Sequence, residues 1–332
     1  MFTQKMKTFV FSKSILKKAL FLLCAAPLTV MAQEWPNKPV TFLVPFPAGG
    51  GTDTFARPLA AQLTEQLGKQ FLIDNRGGAG GTVGASVAAK AAPDGYTFLI
   101  GATHHTIAPS MYKNLDYDIE KSFIPVAMIA NVPQVLVVNP QRVSARNAKE
   151  FIELMKKNPG KYNFASAGSG TVHHLAGELF KIQTGTFITH IPYRGAGPAM
   201  NDLLAGQIDL EFDGLATSAP QINAGKLVAI AVASSKRSTA IPNVPTFKEA
   251  GLPDFEVSTW YSVFAPAGTP KPIVDKMIAE VQKALNTPKL KAIWEKSGSD
   301  APNMYGETFG KQVRADVARW SGVVKKSGAT LD

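Results

Sequence analysis

The sequence predicts an α/β protein of two lobes, each a mostly parallel sheet flanked by helices. Short apolar runs typical of buried strands alternate with helix-like segments along the chain, and this alternation favours parallel sheets covered by helices. Two longer apolar segments, residues 126–138 and 257–265, interrupt the alternation. We interpret each of them as a crossing of the chain from one lobe to the other.

The crossings define the expected domains. Placed near Pro133 and Val257, they assign residues 33–133 and 258–332 to the first lobe and residues 134–257 to the second. Two α/β lobes that face each other across a hinge form a cleft suited to a small ligand.

The elements follow in order from periodicity and turn residues. Strands are expected at Val40–Val44 and at residues 71–73, 97–101, 162–165, 188–191, 208–212 and 227–233. Helices are expected at residues 55–67, 82–91, 148–157, 172–183, 199–205, 272–286 and 307–326. Pro133 indicates that residues 126–138 do not form one continuous central strand, because proline lacks an N–H donor for the ladder.

The N-terminus indicates export. Residues 1–18 carry five lysines and no acid, residues 19–30 are apolar, and small residues precede Gln33. This is the pattern of a secretory signal peptide cleaved after Ala32, so we expect an exported protein. Cleavage removes the only cysteine and lowers the net charge from +10 to +5. The mild excess charge, without a dense basic tract, argues against nucleic-acid binding.

The first candidate site is the glycine-rich turn after strand Val40–Val44. The turn precedes a helix, so bare backbone and the first N–H groups of the helix can face a ligand, which suits an anion. Phe46, Gly50 and Thr52 are the expected contacts, whereas Asp53 is expected to cap the helix or to orient backbone. Thr103 and His104, which end another strand, are expected to face the same cleft.

A second set of candidates lies in the second lobe. The expected anion loop is formed by Ser166, Gly168, Ser169, Gly170 and Thr171, and His174 follows it at the start of a helix. Arg194, beside Tyr193, is the cation best placed to pair with a carboxylate. Asp213 can accept a hydrogen bond from a ligand or fix a loop, and the sequence leaves both roles open.

Metal and catalytic sites are not predicted. Adjacent residues on a helix point about 100° apart, so His173 and His174 do not form a metal pair. A nicotinamide cofactor is not expected, because Thr54 stands where the dinucleotide fingerprint requires its third glycine. A serine hydrolase using Ser169 is disfavoured because Ala167 breaks the G-x-S-x-G elbow. We therefore expect neither an enzyme nor a cofactor.

Eight phrases in this order resemble one family, the tripartite tricarboxylate transporter substrate-binding proteins, also called Bug proteins. The phrases are PFPAGGGTD (45–53), NR (75–76) with GAGG (78–81), PDGYT (93–97), GSGT (168–171) with HL (174–175), HIPYRG (190–195), DLLAGQ (202–207), FD (212–213) and FAPAGTP (264–270). The resemblance implies a Venus-flytrap fold of the periplasmic-binding-protein type. It also implies that a small carboxylate is held by backbone N–H groups of the glycine-rich loops.

The expected function is capture of a small organic carboxylate, aliphatic or aromatic, in the cleft between the lobes. The resemblance implies delivery to the membrane subunits of a tripartite tricarboxylate transporter, and we expect the receptor to act as a monomer. The alternative is a receptor that signals to a membrane sensor. The sequence does not separate the two functions, because a transporter and a sensor would each recognise the closed, ligand-bound state. The sequence does not identify the acid.

Overall fold

The protein is described from a computed structural model that covers residues 1–3 and 35–327. The expected signal peptide and its cleavage after Ala32 therefore lie outside the described residues, apart from residues 1–3. Contacts divide the chain into Met1–Asn37 and Lys38–Asp332, and all of the elements below belong to the second unit. Within the described part of the chain, no helix is both long and apolar enough to cross a membrane.

The described residues form nine strands and ten helices. The strands are β1 (Val40–Val44), β2 (Phe71–Asn75), β3 (Thr97–Ala102), β4 (Phe123–Val138), β5 (Asn163–Ser166), β6 (Thr189–Pro192), β7 (Leu210–Gly214), β8 (Val228–Val232) and β9 (Ser258–Pro266). The helices are α1 (Gly51–Leu67), α2 (Thr82–Ala89), α3 (His104–Met111), α4 (Ala148–Lys157), α5 (Val172–Thr184), α6 (Ala196–Leu204), α7 (Leu215–Asn223), α8 (Lys271–Leu285), α9 (Pro288–Lys296) and α10 (Gly306–Ser327).

The strands join in one hydrogen-bonded path, β2-β1-β3-β9-β4-β7-β5-β6, with β8 paired to β4. The pairs that β1 makes with β2 and β3, and that β5 makes with β6 and β7, are parallel. The pairs that involve β4 or β9 are antiparallel. The α/β fold class is confirmed, and the sheet is mixed because both long strands enter it antiparallel to their neighbours.

Strand β4 corrects the interpretation of Pro133. The strand runs through Pro133 as one continuous element, and only its partners change there. It pairs with β9 as far as Pro133, opposite Ser258, and with β7 from Gln134 onward. Proline is tolerated because Pro133 ends the β9 ladder, where a missing N–H donor costs least. The change falls between the two expected lobes, whose boundaries stay a prediction.

Two hydrophobic clusters stabilise the fold, and we call them the first and the second core. The first core includes Leu43, Leu99, Trp260, Phe264, Phe309 and Val313. The second core includes Leu136, Phe151, Phe164, Phe180, Phe212, Trp320 and Val324. Helix α10 therefore contributes one pair of residues to each core, Phe309 with Val313 and Trp320 with Val324.

Three helices were not expected from the sequence. Helices α3 and α7 have only eight and nine residues and contain Pro109 and Pro220, so they carry too few turns for a clear apolar period. Helix α9 had a readable signal, because Thr287 caps it and Pro288 occupies its first turn. Thr103 and His104 consequently lie at the start of α3 rather than at the end of a strand.

Candidate functional site

Two sets of loops meet where strands end and helices begin. The first loop set follows β1, β2 and β3 (residues 45–50, 76–81 and 103), and the second follows β5, β6 and β7 (residues 167–171, 193–195 and 214). A side-chain carbon at Gly80 would lie 2.8 Å from the carbonyl oxygen of Ser169, and one at Gly195 would lie 2.8 Å from Cδ of Pro47. Glycine is required at both positions because backbone approaches so closely there.

Asp53 orients the backbone of the loop after β1 and does not cap α1. Asp53 is buried, and its carboxylate accepts hydrogen bonds from the backbone N–H of Gly49 at 3.0 Å and from Arg57 Nε at 2.8 Å. Asp53 thus shapes the loop through bonds within the protein. Gly50 and Thr52 are buried at the start of α1, which has no side-chain cap among the described residues.

His104 joins the two loop sets. Its Nδ1 accepts a hydrogen bond from the backbone N–H of Val172 at 3.1 Å, and the ring of Phe46 contacts it edge-on at 5.3 Å. Burial, with smaller contributions from His173 and His105, lowers the pKa of His104 well below its usual range. The ring is therefore neutral near pH 7, and the bond at Nδ1 places its proton on Nε2.

Thr103 and the loop after β5 use their hydroxyls internally. Thr103 Oγ1 accepts from the backbone N–H of Trp260 at 2.8 Å. Ser166 Oγ lies 2.6 Å from His190 Nε2 and accepts from the N–H of Gly168. Thr171 caps α5 and donates to the carbonyl of Gly168 at 2.6 Å. The hydroxyls of these three predicted residues therefore hold loops in place.

A cavity of about 500 Å³ lies at the meeting of the loop sets, and we call it the rim cavity. Its lining includes Gly80, Tyr112, Lys113, Ser169, Tyr193 and Arg194. The Tyr112 hydroxyl donates to the carbonyl of Ser169 at 3.2 Å and so joins the loop sets on one side of the cavity. The two cationic residues of the lining, Lys113 and Arg194, are exposed. Neither forms an ion pair with an acid in the part of the chain that the structure describes.

Tyr193 and His174 have partners within the protein. The Tyr193 hydroxyl donates to Asp202 at 2.7 Å, which leaves its ring to line the rim cavity. His174 accepts from the backbone N–H of Gly170 at 3.3 Å and stacks on His190 at 4.1 Å. Burial lowers the pKa of His174. His174 therefore fixes the turn at Gly170 as a neutral ring.

Asp213 lies with two groups that the sequence analysis did not select. Its Oδ2 accepts from the hydroxyls of Thr217 and Ser218, whereas its Oδ1 faces His173 Nδ1 at 3.8 Å. Glu211 Oε1 lies 3.5 Å from the same nitrogen. The alternation of β7 could have shown that Glu211 and Asp213 share a face. Apolar residues 210 and 212 enter the second core, and the two acids take the opposite face.

The charges of this group are strongly perturbed. Burial raises the pKa of Glu211 to about 7, and the neighbouring Asp213 adds to the rise. Burial lowers the pKa of His173, but the two carboxylates outweigh it and raise the net value above the usual one. The distance of 3.5 Å is long for a hydrogen bond, so we attribute the rise at His173 to charge.

The predicted residues thus separate into two places. Gly168, Ser169, Tyr193 and Arg194 lie at the rim cavity, whereas Phe46, Thr103, His104 and Asp213 are buried. No hydrogen bond joins Ser169 Oγ to His173 or His174 among the described residues, so the geometry of a serine nucleophile with its base is not found there.

Comparison with known proteins agrees with this architecture. A family model described as the tripartite tricarboxylate transporter family receptor matches residues 55–329. The solved structure of periplasmic binding protein BugD is 39% identical, with a TM-score of 0.87 over 90% of this chain and 100% of that chain.

Two further solved structures are named with a bound acid. R. palustris Rpa4515 with adipate is 36% identical, with a TM-score of 0.87 over 90% of this chain and 100% of that chain. MatC from Rhodopseudomonas palustris with bound malate is 35% identical, with a TM-score of 0.83 over 87% and 100% of the two chains. The chain therefore belongs to the tripartite tricarboxylate transporter receptor family, the Bug proteins, which are solute-binding proteins and not enzymes.

Proposed function

We propose that this protein is a periplasmic receptor that captures a small organic carboxylate between the first and second loop sets. The observation that carries the proposal is the rim cavity with Lys113 and Arg194, two cations that no described acid neutralises. A carboxylate entering the cavity supplies the missing negative charge. The adipate and malate named with two relatives support this ligand class, which includes aliphatic and aromatic mono- and dicarboxylates.

Each predicted residue then has a distinct task. Arg194 can hold a carboxylate through two parallel hydrogen bonds, because its guanidinium matches the spacing of the two oxygens. Ser169, with no side-chain partner among the described residues, donates its hydroxyl. His104 offers Nε2–H as a neutral donor deeper in the cleft. Backbone N–H groups at Gly50 and Gly170 add donors at the start of α1 and near α5.

The remaining predicted residues act through the shape of the loops. The hydroxyls of Thr103, Ser166 and Thr171 are engaged within the protein, so they position backbone groups toward the ligand. Thr52 contributes through the first turn of α1, and His174 holds Gly170 in its left-handed conformation.

We propose lobes of residues 33–133 with 258–332 and of residues 134–257, with β4 and β9 as the hinge. Contacts between the loop sets, such as Tyr112 with Ser169, then belong to the closed state. A ligand that touches both loop sets adds contacts only in that state and shifts the equilibrium toward it. We propose that the closed monomer delivers its ligand to membrane subunits of a tripartite tricarboxylate transporter, and co-purification with these subunits separates transport from sensing.

The test is thermal unfolding of the purified protein with a panel of acids. The panel contains citrate, malate, adipate, aspartate, glutamate, nicotinate, benzoate and terephthalate. An acid present at about 100 times its dissociation constant stabilises the folded state by about 2.7 kcal/mol and raises the midpoint by several degrees. The proposal fails if no acid shifts the midpoint and mass spectrometry of the denatured protein finds no co-purified acid.

A double variant tests the site itself. Ser169→Ala combined with Arg194→Ala should weaken binding of the selected acid at least about tenfold, the equivalent of one lost charge-assisted hydrogen bond. Arg237→Ala is the matched control, because Arg237 pairs with Glu249 on the surface outside the rim cavity. Equal affinity of the double variant and the control would remove the rim cavity from the site.

A further inference from the structure

The face of β7 that carries Glu211 and Asp213 meets the first turn of α5 at His173. Its Nδ1 lies 3.5 Å from Glu211 Oε1 and 3.8 Å from Asp213 Oδ1. One donor atom from each residue, taken together, lies within 4.8 Å of the others. All three side chains are almost completely buried, with exposed fractions of 2% for His173 and 0% for both acids.

Four atoms of this cluster have no hydrogen-bond partner. They are His173 Nδ1, both carboxylate oxygens of Glu211 and Oδ1 of Asp213, and no partner for them is found in the described part of the chain. No described lysine or arginine forms an ion pair with either acid. Burying a carboxylate without a partner costs folding free energy. The three side chains alone do not offset that cost, so the cluster lacks a positively charged partner.

An internal ion pair does not complete it. A protonated His173 has one N–H at Nδ1, and its distances to the two carboxylates are too long for a good hydrogen bond. One donor also cannot satisfy three oxygens. A proton on Glu211 would not complete the network either, because neither of its carboxylate oxygens has a hydrogen-bond partner in the described part of the chain. A hydrogen-bonded network would bring at least one of these atoms within about 3.2 Å of its partner, which the structure does not show.

The spacing instead resembles a coordination shell. Nitrogen and oxygen ligands lie about 2.0–2.2 Å from zinc, so ligands at tetrahedral or octahedral angles lie roughly 3.0–3.5 Å from one another. The observed separations at His173 Nδ1 are 3.5 and 3.8 Å, and the three donor atoms all lie within 4.8 Å of one another. An inward movement of the three side chains would place one cation in contact with all of them.

The neighbours of Asp213 support this orientation. Its Oδ2 accepts hydrogen bonds from the hydroxyls of Thr217 and Ser218, both in the first turns of α7. These bonds occupy one oxygen and turn the other toward His173. Metal-ligating carboxylates typically have such outer hydrogen bonds, which fix the ligand before the metal binds.

We propose that His173, Glu211 and Asp213 bind a divalent cation such as Zn²⁺ or Mn²⁺. One imidazole nitrogen with two carboxylates favours these metals over Ca²⁺ and Mg²⁺, which prefer shells of oxygen alone. The cation joins α5 to β7, and with three protein ligands it keeps a coordination position open. The site is separate from the rim cavity and does not rest on the proposed carboxylate function.

The experiment is metal titration of the purified protein after treatment with a chelator. Isothermal titration with Zn²⁺ and Mn²⁺ should give one cation per chain, and Co²⁺ should develop visible absorption characteristic of nitrogen and oxygen ligands. Loss of an outer-shell partner costs about 10–100-fold in metal affinity. Loss of a direct ligand in Glu211→Gln should therefore weaken binding at least about 100-fold.

Two further variants make the result decisive. Asp213→Asn should lose the same affinity, and it replaces Glu211→Gln if circular dichroism shows that the latter does not fold. Glu178→Gln is the matched control, because Glu178 lies in the same helix but faces His174 and Lys181, and it should keep wild-type affinity. Absence of stoichiometric binding, or equal affinity in wild type and folded Glu211→Gln, would overturn the site.

Discussion

Gly177 lies at the closest approach of α5 to β5, and we expect Gly177→Ala to destabilise the protein. A side-chain carbon there would lie 2.2 Å from Cε2 of Phe164 and 2.5 Å from its Cζ, whereas carbon atoms pack at about 3.5–4.0 Å. Phe164 cannot turn away, because it is fully buried and packs against His190 at 4.9 Å and Phe212 at 6.3 Å.

The size of the effect follows from two opposing contributions. Overpacking of a well-filled core costs about 1–3 kcal/mol, and the upper part of that range fits a mismatch of more than 1 Å. Alanine is favoured over glycine within a helix by about 1 kcal/mol. The net loss should therefore be about 1–2 kcal/mol in the free energy of unfolding.

Urea unfolding with a matched variant checks this prediction. Gly322 lies in α10, and a side-chain carbon added there would meet no atom within 4 Å. Gly322→Ala therefore adds the helix preference of alanine without overpacking, and it should stabilise the protein by about 0.5–1 kcal/mol. The two variants should move the urea midpoint in opposite directions with an unchanged slope. A Gly177→Ala midpoint equal to or above that of the wild type would refute the packing argument.

Three further predictions concern the loops. Burial lowers the pKa of His105 from 6.5 to about 4, so the unfolded state takes up its proton first. The contribution of His105 to the free energy of unfolding should then fall by about 1.4 kcal/mol per pH unit between pH 6.5 and about pH 4, and acid titration of His105→Gln should show a smaller slope in that range. His104→Ala removes the bond to Val172 N–H and should weaken carboxylate binding about tenfold by calorimetry. Asp53→Asn replaces the carboxylate paired with Arg57 and should lower stability by about 1–2 kcal/mol in urea, whereas an unchanged midpoint would show that the carboxylate does not hold the loop.

Local chemistry made the loop positions predictable from the sequence. Glycines and hydroxyl residues directly after apolar runs predicted where strands end and helices begin, and the structure places α1, α2 and α5 after such loops. The bond between Asp53 and the backbone N–H of Gly49 is local, so its role in orienting backbone could be argued from its immediate neighbours. Arg194 was identifiable as a cation, and the structure places it at a cavity.

Interactions between distant residues were the part that the sequence could not supply. His104 accepts from Val172, which is 68 residues away, and no periodicity connects the two. The alternation of β7 places Glu211 and Asp213 on one face, but a strand with acids on one face normally turns that face to water. In the structure His173 of α5 and the start of α7 cover that face, so the acids are buried. Burial depends on which helices pack on the sheet, which a single sequence does not state.

Helix α10 has a consequence for the order of folding. It supplies Phe309 and Val313 to the first core and Trp320 and Val324 to the second, so neither core is complete before residues 306–327 have been synthesised. A nascent chain that lacks them exposes apolar surface in both halves. Completion of the two cores is therefore coupled to the docking of one helix, α10.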